Sequence, residues 1–280
     1  MSRSLPAVAA GALWGALAAA VPATGQEVAY NGSVQYATGD YIFSERTHSV
    51  FFFNGLALSA GRLRISASVP VILQSTPWVS YTGGGVLPSG GPEHEVVRRG
   101  MGGRRDREPV VLPDTASFEE LGVGDPVAHA EIELLPDRGA LPALRLTGDV
   151  KFPLADVDRG FGTGEWDYAG GVSLSKVIGG TLVFGNVTYW VLGDLPDLRL
   201  KDPIAYSLGV GRPLPGGRVG VLLTFSGYTE VLDDVAPPAQ LSLGVSYLLS
   251  GGRSVIGSAS FGLSETSPDL SLSVGWHLPL

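Results

Sequence analysis

Alternation of apolar and small polar residues is the feature that most constrains the fold of this chain. In LSLSVGWHL (270–278), every second residue is Leu, Val or Trp, and the residues between them are Ser, Gly or His. LSLGVSYLL (241–249) and SVIGSASFGL (254–263) repeat the pattern, with Ile256 as an exception. A period of two is typical of β-strands with two different faces. The polar face lacks the Lys and Glu of a water-facing surface, so the pattern indicates strands whose apolar side faces lipid.

The same pattern recurs in about twelve segments, each with the length of a tilted membrane strand. These segments lie at residues 27–37, 47–59, 62–73, 121–135, 142–153, 165–177, 181–193, 203–212, 217–229, 239–249, 253–263 and 269–280. Short connections such as SAGR, IGG and SGGR alternate with longer ones such as GDLPDLRLKD and EVLDDVAPPA. The sequence therefore predicts an all-β fold, an antiparallel transmembrane β-barrel of about twelve strands with long outer loops and short periplasmic turns.

Composition excludes several other classes of protein. The 280 residues include 40 Gly and 20 Pro, and the hydrophobic fraction of 44% with 16% charge is too apolar for a disordered chain. The chain has no Cys, which excludes a disulfide framework and thiolate catalysis. Its formal net charge of −8 argues against binding to nucleic acid.

The N-terminal segment differs from the rest of the chain. Arg3 precedes the apolar run LPAVAAGALWGALAAAV and the small-residue stretch PATG. That order of charge, apolar core and small residues predicts a secretory signal peptide at residues 1–25. Residues 26–280 then form a single outer-membrane β-barrel domain with a long loop at about 74–120, and the expected location is the cell outer membrane.

Three closely spaced glycines interrupt the alternation in VKFPLADVDRGFGTGEWDYAGGVSLSK (150–176). Gly160, Gly162 and Gly164 give GxGxG, whereas a Rossmann cradle needs GxGxxG and a Walker loop needs GxxxxGK. The residues that follow alternate as another strand and open no helix whose N-terminus binds phosphate. We interpret the glycines as loop residues that permit positive φ at the outer rim.

This segment resembles a stretch of the family named for the meta pathway of phenol degradation (MetA-type). The likeness consists of a lysine, a proline, a short acidic stretch, Gly-Thr-Gly and an aspartate before a strand. SVQYATGDYIF (33–43) and GRLRISASVPVI (61–72) resemble the opening of the same family. The resemblance implies an outer-membrane β-barrel transporter, and it gives no functional residues to carry over.

Charged residues collect on three neighbouring segments of the predicted barrel. If the apolar residues face lipid, LRISAS, AHAEIEL and LRLTGDVKF send their alternate residues into the lumen. The candidates for contact with a solute there are Arg64, His129, Glu131, Glu133, Arg145, Asp149 and Lys151. One interpretation is a polar constriction that selects solutes. The other is an ion-pair network that fills a narrow lumen, in which the three cations neutralise Glu131, Glu133 and Asp149.

The expected function is that of a channel or transporter for passive or gated passage of small solutes, with no cofactor. A preference for hydrophobic or aromatic solutes rests on the family resemblance alone. The expected partners are such a solute and outer-membrane lipid, with RRGMGGRRDR (98–107) as a candidate contact for lipopolysaccharide.

Two alternatives stay open: an outer-membrane lipid-modifying hydrolase, and a structural or adhesive β protein. The chain lacks a GxSxG elbow, and HEVVR at His94 lacks the second His of a zinc-binding HExxH. No catalytic or metal-binding residue is therefore assigned. The sequence sets no oligomeric state.

Overall fold

Fifteen β-strands account for most of the described chain. The computed structural model describes residues 26–41, 46–75, 79–82, 85–88, 120–157, 159–194, 200–232 and 236–280. The strands are β1 Gln26–Gly39, β2 Thr47–Ala60, β3 Leu63–Gln74, β4 Val79–Thr82, β5 Gly85–Pro88, β6 Glu120–Val123, β7 Val127–Leu135, β8 Ala143–Lys151, β9 Asp167–Ile178, β10 Thr181–Val191, β11 Ile204–Pro213, β12 Val219–Tyr228, β13 Ala239–Leu248, β14 Ser254–Gly262 and β15 Leu270–Pro279. Within these ranges the only helical element is a 3₁₀ turn at Ser250–Gly252, and no helix is long and apolar enough to cross a membrane.

Twelve of the strands close into one antiparallel barrel. Consecutive strands from β7 through β15 pair with one another, β15 pairs with β1, and β1 to β3 continue the wall back to β7. β6 pairs with the end of β3 and extends the wall above β7. Closure leaves no unpaired strand edge around the middle of the barrel. A β-structure in lipid needs this closure because no water is present there to hydrogen-bond with unpaired backbone groups. The prediction of a twelve-stranded antiparallel barrel is confirmed.

The two ends of the barrel differ in the length of their connections. We call the end with the short connections, such as Gly61–Arg62 and Gly179–Gly180, the turn end, and the opposite end the loop end. Gly61, Gly179 and Gly180 have φ values of 58°, 58° and 79°, a backbone conformation that favours glycine in tight turns. The chain's first described strand begins at the turn end, and its last strand ends there. Short and long connections alternate as predicted, and eleven of the twelve barrel strands begin and end within two residues of the predicted segments, the fourth segment being the exception.

Burial separates the outward and inward faces of each strand. Outward side chains such as Val172 and Leu174 of β9 are exposed, and they alternate with inward residues. The sequence of β2 is apolar on both faces around Phe51–Phe53 and does not by itself set which residues point inward. The structure places Phe51 and Phe53 inward, each 2% exposed, and Leu56 outward.

The structure departs from the predicted segments in two places. The fourth predicted segment, 121–135, is broken into β6 and β7 by a bend at residues 124–126. Pro126 has no N–H to donate to the strand ladder, and the Gly124 N–H donates instead to the Pro70 carbonyl. The second difference is the short hairpin β4–β5, which lies inside the predicted long loop.

The predicted signal peptide at residues 1–25 and most of the predicted loop at 74–120, including its Arg-rich segment, lie outside the described residues. Those assignments stay predictions.

A charged band inside the barrel

All seven candidate residues lie on inward-facing positions of β3, β7 and β8. The register of these strands sets them in cross-strand pairs, with Arg64 opposite Glu131, Glu133 opposite Arg145, and His129 opposite Asp149. We call these seven residues the charged band. It has a part nearer the turn end around Arg145 and a part nearer the loop end around Lys151. The two parts differ in how completely their charges are buried.

Arg145 is the centre of the part nearer the turn end. Its Nη2 donates to Glu133 Oε2 at 3.1 Å, its Nη1 donates to Ser175 Oγ at 3.0 Å, and its Nε lies 3.8 Å from Glu131 Oε1. Arg64 lies within electrostatic range of Glu131 and of Glu27 on β1, and its Nε makes no hydrogen bond. This part of the band therefore joins one cation to two acids and leaves a second guanidinium incompletely paired.

His129 and Asp149 form a buried pair in the middle of the band. The Nδ1 of His129 lies 2.7 Å from Asp149 Oδ1, and both side chains are almost wholly enclosed. The pairing interpretation placed Asp149 with a Lys or Arg, and the structure corrects it. The imidazole is the partner of Asp149 because cross-strand register sets these two residues directly opposite each other.

Lys151 is completely buried and is held by groups that the sequence did not single out. Its Nζ lies 2.9 Å from Asp167 Oδ2 and 3.3 Å from Asp125 Oδ2, and it donates to Thr163 Oγ1 at 2.6 Å. The expected pairing of Lys151 with Glu131, Glu133 or Asp149 is therefore wrong. A buried charge is tolerated only when it is paired and hydrogen-bonded, and these three oxygens supply both requirements.

The connection between β8 and β9 folds over this lysine. Asp125 Oδ1 accepts the backbone N–H groups of Leu154 and Ala155 at 2.9 and 2.8 Å. Asp167 Oδ1 accepts the Gly193 N–H of the next loop at 3.0 Å. One buried ion cluster thus ties the bend after β6, the β8–β9 connection and the β10–β11 connection together at the loop end.

The glycine-rich stretch of this connection lies inside the barrel mouth. Gly160 and Gly164 both have φ of 76°, as expected for loop glycines. A Cβ at Gly162 would lie 2.6 Å from Asp125 Oδ2, so glycine is needed there for close approach. Phe161 and Thr163 are 1% and 2% exposed, and Gln74 Nε2 donates to the Gly160 carbonyl. The interpretation of Gly160 and Gly164 as loop glycines with positive φ is confirmed, and contacts with the buried cluster hold the stretch in the barrel mouth.

Apolar side chains line the lumen above and beside the charged band. Phe51 and Phe53 of β2 stack with a centroid distance of 6.0 Å, and Ile72 of β3 is buried near the loop end. On the opposite wall, Phe184, Leu222 and Ile256 form a small cluster. The inward position of Ile256 explains why it broke the alternation. Elsewhere that wall carries small polar side chains such as Ser207, Ser226 and Ser242.

The partners of Lys151, which are Asp125, Thr163 and Asp167, were absent from the predicted site. The sequence contained a signal for one of these three residues. Asp167 has the same parity along β9 as the inward-facing Gly171 and Ser173, so alternation alone placed it in the lumen. Asp125 gave no such signal, because it lies in a bend, and Thr163 lies in a connection without a period. Among the described residues no group of three or more His, Asp or Glu side chains is placed to hold a metal ion.

A second ion pair fixes the turn end beneath the band. The ammonium of Lys176 contacts the carboxylate of Asp137, which also accepts the Val177 N–H at 2.9 Å. The hydrogen bond from Lys176, with that from the Val177 N–H, lowers the pKa of Asp137 below its ordinary value of 3.8. Because the pKa is depressed in the folded state, this contribution to stability is present above pH 3.8 and disappears as the pH falls through the lowered value.

The barrel fold is similar to those of solved outer-membrane proteins. An outer membrane channel from Pseudomonas putida F1 superposes with a TM-score of 0.61 and 14% identity, covering 91% of this chain and 95% of that chain. The KdgM porin superposes with a TM-score of 0.50 and 6% identity, covering 90% of this chain and 98% of that one. The barrel fold thus resembles outer-membrane channels and porins.

Sequence comparison defines the family. No curated protein matches the chain. The sequence profile described as "Putative MetA-pathway of phenol degradation" matches residues 25–276, which include the whole charged band and the glycine-rich connection. The resemblance drawn from the lysine, Gly-Thr-Gly and aspartate stretch is confirmed, and the chain belongs to this MetA-type family of the phenol-degradation pathway.

Proposed function

We propose that the protein is an outer-membrane channel for small solutes, with aromatic compounds such as phenols among them. The observation that carries this proposal is the band of ionisable side chains on the inner face of three adjacent strands, inside a barrel whose outer face is apolar. An apolar outer face suits insertion in lipid, and a polar inner face suits passage of solutes. The likeness of the fold to outer-membrane channels supports the same location and function.

The aromatic preference has two supports. The family is described by a pathway of phenol degradation, and the loop end of the lumen carries the apolar rings of Phe51, Phe53 and Phe161. Aromatic rings favour offset or edge contacts with other rings, so they suit a flat, weakly polar solute. Phe51 and Phe53 lie nearer the loop end than Arg64 and Glu131 do.

Conductance of the purified mature protein in a planar lipid bilayer tests the channel. We expect stable stepwise currents after insertion. Insertion without current, verified by resistance of the barrel to added protease, would contradict an open channel and would favour a carrier or a structural barrel.

Removing the acids of the band tests whether it selects solutes. A unit charge about 4 Å from a passing ion contributes about 1 kcal/mol in water. The double variant Glu131→Gln, Glu133→Gln should therefore lower the cation-to-anion permeability ratio roughly fivefold or more. Reversal potentials in a salt gradient measure this ratio. Glu230→Gln is the matched control, since that exposed residue pairs with Lys201 outside the band. Unchanged selectivity with reduced stability would instead support an ion-pair network that fills the lumen.

One observation favours a hydrolase as a second candidate. The register sets Ser66, His129 and Asp149 in a single cross-strand row on the inner face, the order of a Ser-His-Asp triad. Acyl transfer also needs a hydrogen bond between the Ser hydroxyl and His Nε2, and Nε2 of His129 accepts none from the described chain. It further needs donors for an oxyanion, and the strand N–H groups of this row are engaged in the barrel wall. Covalent labelling of Ser66 by a fluorophosphonate would favour the hydrolase, and absence of labelling in a conducting preparation would favour the channel.

A further inference from the structure

One nitrogen of a buried imidazole in the lumen has no partner. His129 is 3% exposed, and its Nδ1 pairs with Asp149 at 2.7 Å. Its Nε2 is buried and makes no hydrogen bond with any part of the described chain. Buried polar atoms in proteins are nearly always paired, so an unpaired one inside a barrel lumen calls for an explanation such as a ligand.

The Asp149 carboxylate determines the chemistry of the free nitrogen. An ionised carboxylate only accepts hydrogen bonds, so the hydrogen of a neutral His129 ring lies on Nδ1. Nε2 then carries a lone pair and is an acceptor. The group that completes this site must therefore donate a hydrogen bond.

Small residues flank the imidazole along the same cross-strand row. Ser66 on β3 lies opposite His129, Ala57 on β2 lies opposite Ser66, and Ala29 on β1 lies opposite Ala57. All three side chains face inward. A row without large side chains beside a ring edge suits a flat ligand that lies along the wall.

Nearby charges narrow the class of ligand. Glu131 is the next inward residue along β7 from His129, and Asp149 lies directly across from His129 on β8. Two carboxylates beside the acceptor repel a carboxylate or a phenolate. The apolar rings of Phe51 and Phe53 lie on the same face of β2 towards the loop end, which favours an apolar body behind the donor group.

We propose that Nε2 of His129 accepts a hydrogen bond from the hydroxyl of a neutral phenolic solute, with Asp149 as the residue that positions the ring. The site distinguishes hydroxylated aromatic compounds from those without a hydroxyl donor. The proposal rests on the proposed function, because it names the solute class of the same lumen. It assigns a role to His129 that differs from that of the charges around it.

Phenol and anisole are the matched probes, since the methyl ether keeps the ring and the oxygen and lacks the donor. The chain has four His residues, His48, His94, His129 and His277, so a sample labelled with ¹⁵N-histidine gives few signals. His129→Gln removes one signal and assigns it. We expect the spectrum to show hydrogen on Nδ1 and a lone pair on Nε2, and phenol to shift the Nε2 signal at about tenfold lower concentration than anisole does.

Equal responses to phenol and anisole, no response to either, or a doubly protonated ring in the resting protein would overturn the proposal. Ala57→Leu is a second variant that leaves the imidazole in place and fills the row beside it. It should weaken the phenol response while the resting ¹⁵N shifts stay unchanged, and an unchanged phenol response would place the ligand elsewhere.

Conductance of the same preparations separates this proposal from the channel itself. A phenol-specific shift in a protein that inserts without conducting would contradict the proposed channel and support the proposed hydroxyl site at His129. Conduction together with equal ¹⁵N responses to phenol and anisole would support the proposed channel and contradict the proposed hydroxyl site.

Discussion

Replacing Lys151 with Met should lower the free energy of unfolding of the barrel by about 3–5 kcal/mol. The methionine keeps most of the length and packing of the lysine and removes its charge. The carboxylates of Asp125 and Asp167, now 3.3 and 2.9 Å from Nζ, then lie buried without their shared cation. An uncompensated buried charge costs far more than the lost attraction between surface groups. Urea-dependent unfolding from lipid vesicles, followed by tryptophan fluorescence, measures the change.

Lys201→Met is the matched control for this experiment. Lys201 forms an ion pair of 2.7 Å with Glu230 at the loop end, but the two side chains are 42% and 46% exposed. Its removal should cost at most about 1 kcal/mol. Adding Asp125→Asn and Asp167→Asn to Lys151→Met should restore part of the lost stability, because both unpaired charges then disappear. Equal losses for the two lysine variants would show that the buried cluster contributes no more than a surface pair.

Much of the barrel could be predicted because the direction in which a strand residue points depends only on the residues next to it in sequence. On β15, Leu272 and Val274 must face lipid and Ser273 must face inward, and no distant contact is needed to know this. The turn glycines mark where each hairpin reverses. The same alternation placed Arg145 and Lys151 on the inner face of β8. Strand periodicity therefore gave both the number of strands and the inward position of every candidate residue.

The pairing of the charges depended on structure that periodicity does not encode. Asp125 reaches Lys151 only because the chain bends at residues 124–126, and this bend looked like the middle of one continuous strand. Thr163 reaches the same lysine through a connection that folds inward around Gly162. Both features are fixed by contacts between residues far apart in sequence, so no local pattern carries them. The sequence thus located the charged band and missed the cluster that closes its loop end.

The inward fold of the β8–β9 connection leads to the second large expected effect. Phe161 is 1% exposed, and a Cβ at Gly122 would lie 2.3 Å from its ring, so the ring lies against the backbone of β6. The Arg159 guanidinium lies 5.2 Å from the ring centroid. Phe161→Ala removes this anchor, and truncation of a buried Phe costs about 3–5 kcal/mol. The twelve strands that close the barrel pair without this ring, so we expect the loss to fall on the connection and on β6.

Loosening this connection should widen the mouth of the lumen at the loop end. We expect Phe161→Ala to raise the single-channel conductance and to admit larger uncharged solutes in a liposome-swelling assay. Trypsin cleavage after Arg159, whose side chain now contacts Glu120 and the Leu121 carbonyl, should become faster as the connection leaves the mouth. Trp166→Ala is the control, because that ring, at the end of the same connection, is 44% exposed and its removal should leave conductance unchanged. Faster cleavage with unchanged conductance would mean that the connection covers the mouth without limiting flow, and the narrowest point would then have to lie at the charged band below it.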